Sequence, residues 1–280
     1  MKKALPYLYT IPAVILAIVF IYYPAISSFA SSFFNLKIDG SFSSFVFFNN
    51  YINVLQDENF QSAFFLTLKF TVLYVPALIA LLLACSYLTH KGTRLDRAFQ
   101  VIYILPMALG LSSAALVFKF IFNEDLGIFN RLLVFIPWDS NAFFALLSIV
   151  FLSIFLSFGL GYILLLCAFK NVDRSIVEAA SLDGCSSFEL FAFIKVPLIM
   201  PTLSFIVFIA LKDAALISAP IMIMRDGGPY GATQSLVYYY YLEAFKNYNY
   251  SAAAASSVII FVLSLSIILL YAVFKRRVKW

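Results

Sequence analysis

Glu178-Ala179-Ala180, followed by Gly184, Ile194 and Pro197, is a charged, helix-breaking loop between long apolar segments. The chemistry its residue types allow is capping and docking rather than bond breaking. Ser175 followed three residues later by Glu178 is a capping-box pattern, in which hydroxyl and carboxylate each satisfy an orphan backbone N–H at a helix start. The spacing therefore predicts a short helix from about Ile176. Gly184 stands where a left-handed C′ glycine ends that helix, and Ser186 with Glu189 repeats the pattern to start a second. Pro197 and Pro201 bracket the exit into the next apolar run, since neither continues a helix without losing a hydrogen bond.

The remaining chemistry-bearing residues are few. Lys212 and Asp213 lie nearest the middle of an apolar segment, where an ionisable group is a functional candidate because burying it alone costs at least about 2.5–3.5 kcal/mol. Neighbouring residues on a helix point about 100° apart, so both cannot face one partner. They read either as the lining of a pathway or as a structural pair with a neighbouring subunit. Lys69 and Lys119, near the ends of their segments, read as snorkelling side chains. Cys85, Cys167 and Cys185 have no C-x-x-C spacing for a metal and read as apolar filler. The one histidine, His90, has no second His or carboxylate at a ligand spacing, which leaves it no metal or catalytic role.

The elements that must position these residues follow from composition. Hydrophobic residues make up 63% of the chain and charged residues 12%, so the class is an all-α polytopic membrane protein rather than a soluble core. Crossing a hydrocarbon core takes about 20 apolar residues as helix. Six stretches qualify: approximately Leu5–Ser28, Ser62–Leu88, Val101–Phe122, Ala142–Phe169, Ile199–Met224 and Ala252–Phe274. Long uninterrupted runs exclude the alternating strands of a β-barrel. The first stretch lacks a clean small-residue cleavage site and reads as a retained helix. Pro24, Pro76, Pro106 and Pro220 predict kinks. A single transmembrane domain over residues 1–280 is expected, its core about 62–274 with an N-terminal helix about 5–28.

Twelve of the 19 Lys and Arg residues fall beside one face: Lys2 and Lys3, Lys91, Arg94 and Arg97, Lys170, Arg174 and Lys195, and Lys275, Arg276, Arg277 and Lys279. The other face carries Lys37, Arg131, Arg225 and Lys246. The positive-inside rule then puts both termini and the Glu178 loop in the cytoplasm. Split among short segments, the net charge of +5 forms no continuous patch for nucleic acid. On the opposite side Phe45-Val46-Phe47-Phe48 with Tyr51 predicts an interfacial helix. Arg225-Asp226-Gly227-Gly228-Pro229 reads as a turn, and Tyr238 to Tyr241 as aromatic anchors or, less directly, a lining that stacks on sugar rings.

Glu178-Ala179-Ala180-x-x-x-Gly184, nine residues, then Ile194-x-Val196-Pro197 resembles the EAA signature of permease subunits of binding-protein-dependent ABC importers, with Val196 where the family usually has Leu. Further patches agree in order: Lys91-Gly92-x-Arg94-x-x-Arg97 through Pro106; Phe118 to Asn123 with Gly127 and Asn130; and Gly227-Gly228-Pro229-x-x-Ala232-Thr233-Gln234-x-Leu236 with Tyr239, Ala244 and Phe245. The last is similar to the carbohydrate-uptake branch, the first permease of maltose-type and glycerol-phosphate-type systems, and the likeness runs over essentially the whole chain. It implies the six-helix type I importer permease fold in a bacterial or archaeal inner membrane. It also implies a non-enzymatic subunit that moves a sugar, or a solute such as glycerol phosphate, delivered by an external binding protein. The implied partners are a second homologous permease and two ATP-binding cassette subunits that bind ATP and Mg, since no G-x-x-x-x-G-K-[ST] loop is present here. Glu178, Ala179, Ala180 and Gly184, with Leu182 and Asp183 beside them, take the role of the ATPase-coupling loop. A secondary transporter would need paired broken helices with acidic coupling residues, and only Asp213 lies deep. An intramembrane hydrolase would need a nucleophile and base on facing helices, and His90 lies outside the apolar runs.

Overall fold

The computed structural model describes residues 5–132 and 135–277. Lys2, Lys3 and Lys279 of the charge asymmetry lie outside them. In chain order the elements are α1 (Leu5–Ala17), a π turn (Ile18–Tyr22), α2 (Tyr23–Ser31), β1 (Phe34–Leu36), β2 (Phe42–Phe45), α3 (Asn49–Gln56) and α4 (Glu58–Leu88). There follow α5 (Arg94–Ile104), a 3-10 turn (Leu105–Ala108), α6 (Leu111–Ile121), α7 (Ile128–Leu132), α8 (Ala142–Lys170) and α9 (Arg174–Leu182). The last are α10 (Ser187–Glu189), a π turn (Leu190–Lys195), α11 (Val196–Leu198), α12 (Met200–Ala215), α13 (Ala219–Met224), α14 (Leu236–Tyr241), a π turn (Leu242–Lys246) and α15 (Tyr250–Arg277).

Among the described residues, four stretches are continuous helices long and apolar enough to cross a membrane: Tyr9–Ser31, Glu58–Leu88, Ala142–Lys170 and Tyr250–Val273. The other two are bent pairs. Arg94–Ala108 and Leu111–Ile121 meet at 105°, and Ser187–Leu198 and Met200–Ala215 at 74°. The kink expected at Pro106 is a sharp bend, the second bend falls between Pro197 and Pro201 at the entry to the fifth stretch, and the total of six holds if each pair is one span. Pro106 explains the first bend: without an N–H it cannot continue the ladder, and Leu109 turns extended before α6 starts at Gly110. Pro76, by contrast, sits inside an uninterrupted α4.

The chain forms two compact units. One comprises residues up to Gln61 with Tyr239–Leu263. In it β1 and β2 pair antiparallel, Phe34 opposite Phe45. Ser251 Oγ accepts from the Leu36 N–H at 2.8 Å, the Ser28 and Ser257 hydroxyls meet at 2.9 Å, and Tyr239 Oη donates to Asp57 at 2.7 Å. Strand pairing claims Phe45, and Phe47 turns to φ +53°, so helix begins only at Asn49. The helix expected over Phe45 to Phe48 with Tyr51 is therefore shifted, and of that set only Tyr51 lies in it.

The second unit, Ser62–Tyr238 with residues from Ser264 on, is built on α8, whose buried face runs from Ala145 to Phe169. The 3-10 turn at Pro106 packs on α8, and a Cβ on Gly159 would lie 2.4 Å from Met107 Cγ. Glycine there lets the bend approach the α8 backbone. At one end of α8, Trp138 meets the rings of Phe122 and Phe144 in a buried cluster. Lys69 and Lys119 are exposed on α4 and α6.

Candidate coupling turn and transport cavity

Helix α9 starts two residues earlier than its sequence suggests. Asp173 is the N-cap: its carboxylate accepts from the Ser175 N–H at 2.9 Å and the Ser175 hydroxyl at 2.9 Å. These two bonds hold the Asp173 carboxyl below its ordinary range. The expected Ser175–Glu178 box is corrected. Asp is as strong a cap as Ser, and with Asp173 in place Ser175 lies inside the first turn. Glu178 instead faces Arg174 one turn back, at 3.6 Å with both side chains largely exposed.

The end of α9 follows the sequence closely. Gly184 has φ +86°, its N–H bonds the Ser181 carbonyl at 3.3 Å, and the Cys185 N–H reaches back to Ala180 at 3.2 Å. That is a Schellman motif. The second capping box forms in full: Glu189 N–H donates to Ser186 Oγ at 3.3 Å, and Ser186 N–H to Glu189 Oε2 at 2.8 Å. Between these caps everything from Ser181 to Glu189 is exposed, including Leu182 at 89% and Phe188 at 72%. Ala180 is buried against its own chain and only Ala179 faces out.

Behind the turn, the segment Leu190–Lys195 is held by an aromatic box. Phe191 lies 4.5 Å from the Tyr87 ring and 6.3 Å from Phe169, and His90 stacks on Tyr87 at 5.1 Å. Lys195 is buried (6%) with its ammonium 5.2 Å above the Tyr87 ring and 3.0 Å from His90 Nε2. His90 Nδ1 meets the Tyr87 carbonyl at 2.5 Å. A carbonyl only accepts, so Nδ1 carries the proton and Nε2 accepts from Lys195. Sequence reasoning set His90 aside and counted Lys195 only as a topology charge. No local signal joins residues 105 positions apart.

Lys212 and Asp213 lie side by side in the last turn of α12. They pair with each other, Nζ to Oδ1 at 2.7 Å, because the long lysine arm bends across the angle between adjacent positions. Both border a cavity of about 440 Å³ with Tyr74, Ser153, Ser157 and Ser218. Tyr74 Oη donates to Ser157 Oγ at 2.7 Å. One wall is the gap between α12 and α13, Leu216 to Ser218, where the helix is interrupted. The buried Ile217 carbonyl, freed by that break, accepts from the Ser235 hydroxyl. The arrangement offers hydroxyls, one self-neutralised ion pair and aromatic faces, which can hydrogen-bond and stack but hold no nucleophile beside a base.

The sequence profile described as "Binding-protein-dependent transport system inner membrane component" matches residues 77–280. The chain belongs to that family. The permease is 30% identical over 246 residues to the sn-glycerol-3-phosphate transport system permease protein of Yersinia enterocolitica, covering 86% of this chain and 83% of the relative. It is 29% identical over 249 residues to that of Escherichia coli, covering 87% and 84%. A crystal structure of a bacterial ABC transporter involved in import of the acidic polysaccharide alginate superposes with TM-score 0.84 at 22% identity, covering 100% of this chain and 98% of that one. The same kind of transporter in complex with an alginate pentasaccharide-bound periplasmic protein gives 0.82 at 22%, covering 99% and 96%. The fold is that of type I importer permeases, in a multi-pass inner-membrane protein.

Away from the turn and the cavity, the permease carries a second polar constellation that its sequence hid. Arg225, 5% exposed in its side chain, pairs with Asp139 and donates to Ser148 Oγ through Nε and NH2, at 3.1 and 3.0 Å, and to the Phe122 carbonyl at 3.3 Å. Burial pushes the guanidinium down to about 10, against the pull of Glu124. Tyr238 and Tyr239 are buried at 2% each, and Tyr238 Oη donates to Asp226 at 2.7 Å. Those rings pack and do not line an open surface.

Proposed function

We propose that this permease forms the membrane path of an ATP-driven importer for a sugar or related carbohydrate, handed over by an external solute-binding protein. Residues 1–280 act as one permease domain beside a second, homologous permease. Two cytoplasmic ATP-binding cassette subunits bind ATP and Mg and carry out the hydrolysis. Both termini are cytoplasmic. Glu178, Ala179, Ala180, Leu182, Asp183 and Gly184 form the element on which an ATPase docks, and Lys212 and Asp213 border the transport path. The observation that carries the reading is the exposed 181–189 turn, capped at both ends yet presenting Leu182 and Phe188 with nothing of its own chain over them. Rigid apolar surface of that kind fits a protein partner. The hydroxyl-rich cavity suits a polyol, and the glycerol-phosphate permeases among the relatives favour glycerol phosphate as the second reading.

The test is reconstitution with the cognate subunits in liposomes. The permease alone is expected to hydrolyse no ATP, whereas the complex hydrolyses it faster with loaded binding protein outside. Asp213→Asn and Lys212→Met are expected to lower uptake while the complex still assembles. Turnover by pure permease would refute the division of labour, and wild-type uptake in both variants would remove the pair from the path.

A further inference from the structure

Lys195 is a buried ammonium whose hydrogen-bonding partner is an imidazole nitrogen rather than a carboxylate. Burying a cation is tolerable only while something accepts its protons. Here the acceptor is the Nε2 lone pair of neutral His90, oriented by the Nδ1 bond to the Tyr87 carbonyl and by stacking on the Tyr87 ring. Lys195 lies in the segment that runs on from the Ser186–Glu189 capping box. His90 follows directly on α4. The contact therefore joins the docking turn to a long apolar helix through two side chains.

We propose that His90 is a positioning residue for coupling: its neutral ring latches Lys195, and with it the 178–189 turn, to the end of α4, and a proton on Nε2 opens the latch. The proposal rests on reading that turn as the ATPase-docking element. A second proton converts Nε2 from acceptor to donor and sets two cations against each other at hydrogen-bond distance. The charged and titratable groups facing His90 are Tyr87 on α4, Lys91 after it, Asp96 on α5 and Lys195, while α8 contributes the uncharged Phe169. Lys91 acts in the same direction as Lys195. Asp96 opposes them but is committed to the Thr93 capping box. Burial foremost, and then the two lysines, hold the ring below its ordinary range against the Tyr87 carbonyl. The sign follows: the latch is complete above the unfolded histidine value and is lost as pH falls through the lowered one.

Two readouts separate the latch from the reading beneath it. In permease stripped of native cysteines, spin labels at Leu88→Cys and Leu182→Cys report the distance from the end of α4 to the turn. A narrow distribution at about pH 7.5 is expected to broaden at a second, acid pH set well below the ordinary histidine value. His90→Gln, whose amide can both donate to Tyr87 and accept from Lys195, is expected to stay narrow at both values, and His90→Lys broad at both. In the assembled complex, stimulated ATP hydrolysis is expected to fall about fivefold over the same interval in wild type and to stay level in His90→Gln. A wild-type distance distribution indifferent to pH, or His90→Gln broadening as wild type does, overturns the latch. Distances that respond as expected while hydrolysis does not would overturn the coupling reading and His90's part in it.

Discussion

The Arg225 clasp and the Gly184 turn both lie in the larger unit, and both are built from polar groups with matched partners, but the partners come from different places. Arg225 reaches residues 77 to 103 positions away in sequence, and its side chain is 5% exposed. Every bond of the Gly184 turn closes within five residues, and the turn stands exposed. A network of distant partners holds a tertiary arrangement, and losing one member leaves the others buried and unpaired. A network of near neighbours fixes only a local shape, so its outer face remains free for another molecule. The difference separates what holds this permease's tertiary fold from a face that is left open.

Substitutions can break that contrast. The largest effect on the fold is expected from Arg225→Met, which takes the guanidinium from Asp139, Ser148 Oγ and the Phe122 carbonyl together. Because Asp139 is half-exposed, the loss should fall at about 3 kcal/mol, the low end for breaking a buried pair. Thermal unfolding of the solubilised permease measures it, and an unshifted transition would mean that the clasp holds nothing. Asp173→Ala removes the exposed cap of α9 and frays its first turn. Abundance and melting should hardly change, while stimulated hydrolysis falls several-fold; a large drop in melting temperature would place α9 in the core. Glu178→Lys has the smallest effect on the fold. It sets two cations at i,i+4 spacing with Arg174 on an exposed helix face, so the permease should melt as wild type. Any loss of ATPase co-purification then reports a docking contact at that position.

The sequence was most informative where the decisive interactions are local. The six apolar stretches, the left-handed Gly184 and the Ser186–Glu189 box could each be read within a window of a few residues or a plain hydrophobic run. Two adjacent cap-forming residues defeated the same reasoning at the start of α9, because Asp173 and Ser175 both qualify and only their competition decides. A hydrophobic run says nothing about bends, so the 105° and 74° breaks and the interruption at Leu216 to Ser218 lay outside it. Prolines marked where they fall, Pro106 at the first, Pro197 and Pro201 around the second and Pro220 beside the third, but not how sharply the chain turns. The self-pairing of Lys212 and Asp213 depended on a flexible side chain that ideal helix angles ignore. His90 with Lys195, and Arg225 with Asp139, join segments that only the tertiary fold brings together.

If the 178–184 turn transmits ATPase closure as proposed, two glycines should differ sharply in what they do to hydrolysis. Gly184 and Gly92 have φ of +86° and +79°, and a Cβ at either meets nothing within 4 Å. Valine at each should therefore impose similar strain, about 1–2 kcal/mol or somewhat more for a β-branched residue, without a clash. The measurement is ATP hydrolysis stimulated by loaded binding protein in the reconstituted complex, for Gly184→Val beside Gly92→Val at matched abundance. Hydrolysis lost in Gly184→Val and kept in Gly92→Val is the result predicted here; full stimulated hydrolysis in Gly184→Val would contradict it.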